Sequence, residues 1–164
     1  MGDNIHLGDR NGVRTPMQWS LDRTAGYSRA DYNLLYSPVI ADPVYGYQRI
    51  NVESQQRDEN SLLQWMRRMI QIRRRFPAFS RGEMRFLLTS NRKILAFVRQ
   101  LDGETILFAC NLARSVQPCE IDMSEFIDFT PIELIGETQF PQIGELPYFL
   151  TFGPYEFYWF RLSK

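Results

Sequence analysis

Arg14 sits in the stretch Asn11-Gly12-Val13-Arg14-Thr15-Pro16-Met17-Gln18-Trp19, where a charge, a rigid turn and large side chains are packed most tightly. Pro16 fixes its own φ and pushes Thr15 toward extended backbone. Gly12 permits a tight turn just before Val13. Arg14 is therefore carried on a short, restrained, extended piece. A guanidinium held this way offers paired planar donors to a carboxylate or to sugar hydroxyls. It could equally make a structural salt bridge, with Met17 and Trp19 as loop anchors. Trp19, Tyr45 and Tyr47 could stack on sugar faces or simply pack the loop. Asp3 with Asp9, and Asp22 with Asp31, are the obvious candidates for an acid/base carboxyl pair among 19 acidic residues. Neither pair comes with a supporting pattern, and loop aspartates usually make turns and caps. Asp9 and Arg10 are weaker candidates for a pocket rim. His6 stands alone and the cysteines lack zinc-type spacing, so neither a metal nor a cofactor is expected.

These residues fall in a segment, 1–57, that shows neither helical nor strand periodicity. An irregular stretch this long in a compact unit is usually functional or needs a partner to cover it. Asp58 is the expected N-cap of a helix over Ser61–Phe76. There Leu62, Met66, Met69, Ile70 and Phe76 share one broad apolar face, with Trp65 and Ile72 at its margin. Arg73, Arg74 and Arg75 suit the negative end of the helix dipole, and Pro77 ends the helix. Past Gly82 the period changes to two. Strands are expected at Glu83–Leu88, Ile94–Leu101, Glu104–Leu112, Val116–Ile121, Thr130–Ile135, Tyr148–Phe152 and Tyr155–Leu162, with an Asp102-Gly103 hairpin turn. Regular strands without intervening helices predict an antiparallel sandwich. The expected division is 1–81, loop and helix, and 82–164, sandwich.

The chain of 164 residues is 44% hydrophobic and 14% aromatic, enough to build a core. A formal net charge of zero argues against electrostatically driven nucleic-acid or membrane binding, despite the arginine run. No apolar run approaches a membrane span and no signal peptide is visible, so a cytoplasmic protein is expected. Cys110 and Cys119 are expected as buried free thiols.

Arg14-Thr15-Pro16-Met17-Gln18-Trp19 resembles a segment of the α-amylase clan, in its α-glucosidase and trehalose synthase branches. Gly8-Asp9-Arg10-Asn11-Gly12, Asp22-Arg23-Thr24-Ala25-Gly26-Tyr27-Ser28, Asp42-Pro43-Val44-Tyr45-Gly46-Tyr47-Gln48, Phe140-Pro141-Gln142-Ile143-Gly144 and Phe157-Tyr158-Trp159-Phe160 are similar to the C-terminal part of the trehalose synthase family. The resemblance implies the end of a (β/α)8 barrel, its long last loop and last helix, followed by a β-sandwich. The loop would cover one side of a sugar pocket, since barrel sites lie at the C-terminal ends of the strands. Arg14 would pair with an aspartate from an earlier part of the barrel and contact the non-reducing-end sugar. Retaining glycosyl transfer uses two carboxyls about 5 Å apart. The family's catalytic carboxyls lie on earlier strands, and its Asn-His-Asp motif does not occur here, since Leu7 follows His6. No catalytic residue carries over.

The leading expectation is a C-terminal fragment of an enzyme that interconverts maltose and trehalose, inactive without its barrel. Its expected partners are that barrel, small sugars (maltose, trehalose, glucose) and another copy of the chain. The alternatives are a fragment of a hydrolytic α-glucosidase, or a free-standing sugar-binding or interaction β-module with an exposed aromatic platform.

Overall fold

The computed structural model describes residues 13–164. Two compact units divide between Arg67 and Arg68. No helix among the described residues is long and apolar enough to cross a membrane.

In the first unit, 3-10 turns at Arg23–Gly26 and Tyr32–Leu34 precede α1, Val52–Arg57. Helix α1 is a correction to the irregular reading of 1–57. At six residues it is too short for periodicity to register. Its start is nonetheless well specified, because Asn51 is an N-cap whose Oδ1 accepts from Ser54 N at 2.8 Å. The next helix, α2, spans Leu62–Arg75. Asp58 does not cap it. It follows the C-terminus of α1, and its carboxylate accepts from Asn60 N at 2.9 Å. Ser61 takes the capping place instead, with Gln64 N donating to its Oγ at 3.3 Å.

The second unit is an antiparallel sandwich. Strands β1 (Glu83–Phe86), β2 (Ile94–Leu101), β3 (Glu104–Asn111), β7 (Phe157–Ser163) and β5 (Thr130–Glu133) form one sheet in the order β1-β2-β3-β7-β5. Strands β4 (Gln117–Ile121) and β6 (Tyr148–Phe152) form the other. The β2–β3 turn carries Asp102 at φ 48° and Gly103 at φ 84°, as the Asp-Gly pair requires. Pro131 is tolerated because β5 lies at a sheet edge. The last strand begins at Phe157 and not Tyr155, because Tyr155 takes φ 56°, a left-handed turn.

Alternation puts Ile94, Ala96, Val98, Leu107, Ala109, Phe160 and Leu162 against Cys119, Ile121, Leu150 and Phe152 between the sheets. The opposite face of the large sheet receives the end of α2. Ile72 and Phe76 pack with Ala78, Phe79, Ile106, Leu134 and Trp159. A short helix α3, Ala78–Arg81, follows Pro77. Glu104 Oε1 accepts from Ala78 N at 2.8 Å, and Arg99 donates to the carbonyls of Ala78 (3.1 Å) and Gly82 (2.8 Å). Gly82 passes so close to β2 that an added Cβ would sit 2.7 Å from the Ala78 carbonyl and 3.0 Å from the Gln100 backbone.

The expected apolar face of α2 is split. Met69, Ile72 and Phe76 turn inward, whereas Leu62, Met66 and Ile70 are exposed. At i, i+4, i+8 these three form one uncovered stripe. Cys110 and Cys119 are buried and free.

Candidate functional site

The segment from Arg14 to Ser20 has no regular secondary structure, and its last three residues are held by backbone bonds. The carbonyls of Gln18 and Trp19 accept from Val52 N (2.9 Å) and Glu53 N (3.0 Å). Those N–H groups are the first two donors of α1, which no intrahelical carbonyl can satisfy. Gln18 adds a side-chain staple, its Nε2 donating to the carbonyls of Tyr45 (3.1 Å) and Ile50 (2.5 Å). Its Oε1 is buried and has no protein partner. Buried Asn51 completes the junction by donating to the Tyr47 carbonyl at 2.8 Å.

On the other flank, Trp19 N and Ser20 N both donate to the Ala25 carbonyl, at 2.8 and 3.2 Å. Ala25 lies in a left-handed run with Thr24 (φ 58°), Ala25 (φ 59°) and Gly26 (φ 67°). The β-branched Thr24 in this region is strained. Its hydroxyl bonds to the carbonyls of Arg23 and Ser28, and both Thr24 and Ala25 are buried. At Gly26 an added Cβ would meet Ser20 Oγ at 2.5 Å. Only the Gly signal was available in the sequence; a left-handed Thr-Ala pair has none.

These anchors leave a hollow of about 320 Å³ lined by Thr15–Gln18, Ile40, Tyr45 and Ile50–Val52 with Gln55. Tyr45 and Trp19 are exposed, and Tyr47 is half-buried. Arg14 is exposed at the start of this segment, and among the described residues no carboxylate pairs with it. Asp22 accepts from Ser20 Oγ at 2.9 Å, and Asp31 is ion-paired with Arg23 at the surface. Each thus serves a local contact. Asp3, His6, Asp9, Arg10 and Gly12 lie outside the described residues. Among the described residues no group of three or more His, Cys, Asp or Glu side chains could hold a metal ion.

The turn that carries Tyr45 has a pH-sensitive pin. Asp42 Oδ1 accepts from Val44 N and Tyr45 N, both at 2.8 Å, and these bonds hold its carboxyl below the ordinary 3.8. A folded pKa below the unfolded one means that the stabilisation is complete above 3.8 and is lost as pH falls through the depressed value. Acidification is therefore expected to shift the Val44 and Tyr45 amide resonances together. Asp42→Asn should flatten that titration.

Residues 3–82 match the family model described as alpha amylase, catalytic domain, and residues 84–159 match maltogenic amylase, C-terminal domain. Trehalose synthase/amylase TreS of Mycobacterium tuberculosis (strain ATCC 25618 / H37Rv) is 51% identical over 99% of this chain and 28% of its own length. Trehalose synthase of Pimelobacter sp. (strain R48) is 52% identical over 99% of this chain and 29% of its own length. Among solved structures, the trehalulose synthase MutB from Pseudomonas mesoacidophila MX-45 superposes with a TM-score of 0.62 at 25% identity, covering 94% of this chain and 26% of that one. The chain thus spans under a third of the length of these relatives.

Proposed function

We infer, from the premise that this chain belongs to the α-amylase family and corresponds to the C-terminal part of trehalose synthases, that it serves an enzyme interconverting maltose and trehalose by retaining glucosyl transfer. The observation carrying this reading is identity of 51–52% sustained over 99% of the chain with two trehalose synthases. The matches to an alpha amylase catalytic domain over 3–82 and to a maltogenic amylase C-terminal domain over 84–159 support it.

In this reading the Arg14–Trp19 loop forms one wall of the glucose pocket, and Arg14 holds the non-reducing-end sugar beside an aspartate of the barrel. The anchoring of Gln18 and Trp19 to α1 supports such a role. A binding arginine must be aimed by backbone that does not move. The carboxyls that break and remake the glycosidic bond belong to the rest of the barrel. That missing part is the partner this chain needs. The uncovered stripe of Leu62, Met66 and Ile70, with exposed Met17, Leu34 and Tyr36, is the apolar surface it would cover. Without it, the same surface favours self-association. The two free buried thiols suit a reducing compartment, and we place the protein in the cytoplasm.

The test is product analysis on the full-length protein incubated with maltose. Trehalose as the main product, with glucose minor, is expected. Glucose as the main product would move the protein to the hydrolytic α-glucosidases.

A further inference from the structure

The Phe140-Pro141-Gln142-Ile143-Gly144 motif has no part in the pocket described above. Ile143 is buried between the sheets. Phe140 packs edge-on to Tyr158 (centroids 5.6 Å) and Phe160 (4.8 Å). The strap that follows, to Pro147, is tied to β6 by Tyr148 Oη donating to the Pro141 carbonyl at 2.8 Å. Between strap and strand lies an open hollow of about 550 Å³, within the usual range of small-molecule clefts, about 300–1,000 Å³. Helices α2 and α3 pack on the far face of the large sheet. The hollow is therefore on the other side of the sandwich from Ile72, Phe76 and α3.

Its lining is mixed in a particular way. Phe149 is 61% exposed, and Phe140 and Tyr158 are further ring walls. Among the described residues, the Glu145 carboxylate and the Thr151 hydroxyl have no hydrogen-bond partner. Gln142 Nε2 donates to the Asp128 carbonyl at 2.9 Å, which leaves its Oε1 free to accept. The edge of β6 contributes backbone groups as well. Among the described residues, strand β6 pairs only with β4. On β4, the Pro118 carbonyl accepts from Asn91, and the Glu120 peptide groups bond to Ser90. Those groups point away from β6. By antiparallel alternation, their partners Phe149 and Thr151 turn their own N–H and C=O toward the free edge.

Ring faces, a free carboxylate, an amide oxygen and unpaired backbone groups around one hollow match the two sides of a sugar. Its C–H face stacks on aromatic rings, while its hydroxyls donate and accept at the rim. We propose that this hollow is a non-catalytic binding site for an α-linked glucose oligosaccharide, with Phe149 as the stacking platform and Glu145 and Gln142 as hydroxyl acceptors. An added peptide strand fits less well. Pro147 and Gly153-Pro154 bracket β6, leaving the free edge only two outward-facing residues, and the strap walls it. The choice of an α-linked glucan over other sugars rests on the α-amylase reading above. The hollow itself does not. Burial pushes the Tyr148 and Tyr158 hydroxyls up in pKa, so both stay neutral donors across the physiological range.

Calorimetric titration of the purified 164-residue chain with maltoheptaose tests the site, with cellohexaose as the control sugar. Saturable binding of maltoheptaose alone is expected. Phe149→Ala should weaken it about tenfold, and Glu145→Gln should weaken it by a smaller factor. Phe86→Ala, which removes an exposed ring on β1 outside both sugar readings, should bind as the parent chain does. Phe149 is exposed, so its variant should keep its Tm. If it does not, Thr151→Trp, which fills the hollow from another exposed position, replaces it and should abolish binding. The proposal is overturned by absence of saturable binding, or by unchanged affinity in the hollow variants. Equal binding of cellohexaose overturns the assigned ligand class. Loss of binding in Arg14→Ala with retention in Phe149→Ala would place the sugar on the Arg14 loop, overturning this site while supporting the pocket. Capture of an extended peptide at β6 without sugar binding also overturns it.

Discussion

In the full-length protein, Arg14→Ala is expected to lower kcat/KM for maltose by two or more orders of magnitude, and Arg14→Lys to recover little. Here the guanidinium is exposed and, among the described residues, has no carboxylate partner. Four residues on, its loop is fixed by the Gln18 and Trp19 bonds to α1. On the proposed reading, removal of Arg14 would strand a buried aspartate of the barrel and delete a sugar contact. Breaking one side of a buried charge pair costs about 3–5 kcal/mol, ample for a hundredfold loss. Lysine keeps the charge but not the paired planar donors. Steady-state kinetics with maltose measure this, and near-parental activity of Arg14→Ala would return Arg14 to a structural role. The isolated chain should turn over no maltose. A positioned arginine without a nucleophile and an acid cannot stabilise the bond-breaking transition state.

The sandwich was legible because alternation, turn chemistry and strand length agree along it. Ile94–Leu101 and Tyr148–Phe152 fall where the pattern puts them, and Asp102-Gly103 turns as expected. Errors came where one local feature overrode the period, as Tyr155 in the left-handed region delays β7. The α2 face was only half readable. Its apolar arc is continuous in sequence, but the sheet takes Ile72 and Phe76, Met69 is buried, and the Leu62–Met66–Ile70 side is left open. Periodicity reports that a face is apolar, not which element covers it. The site was least legible. Arg14 stood out by charge and neighbouring Pro16. The groups that hold its loop did not, because Gln18 acts on Tyr45 and Ile50 across 27 and 32 positions. A long-range side-chain-to-carbonyl bond leaves no periodic trace. The Thr24–Gly26 left-handed run is likewise set by its buried contacts, against the intrinsic preference of threonine.

Phe160→Ala is expected to be the most damaging single substitution to the β-domain, costing about 3–5 kcal/mol. Phe160 is fully buried on β7, where it faces Leu107 of β3 in register and Glu133 of β5. Its ring meets Phe140 edge-on at 4.8 Å and stacks near Tyr158 at 5.4 Å. It therefore joins three features at once: the central strands, the second sheet's core and the strap that walls the hollow. Truncation leaves a void that strands fixed by their hydrogen-bonded ladders cannot collapse to fill. For a domain of this size the penalty lowers Tm by roughly 10 °C or more. Phe86→Ala is the matched control. That ring is 62% exposed on edge strand β1 and meets the Phe97 ring edge-on at 6.1 Å. Its loss should stay within about 0.5 kcal/mol. Thermal unfolding of the three proteins side by side separates the two cases. Comparable Tm values for Phe160→Ala and Phe86→Ala would mean that the space between the sheets is not where this domain's stability resides. A selective loss in Phe160→Ala should also weaken maltoheptaose binding at the hollow, because Phe140 of its wall rests on the Phe160 ring.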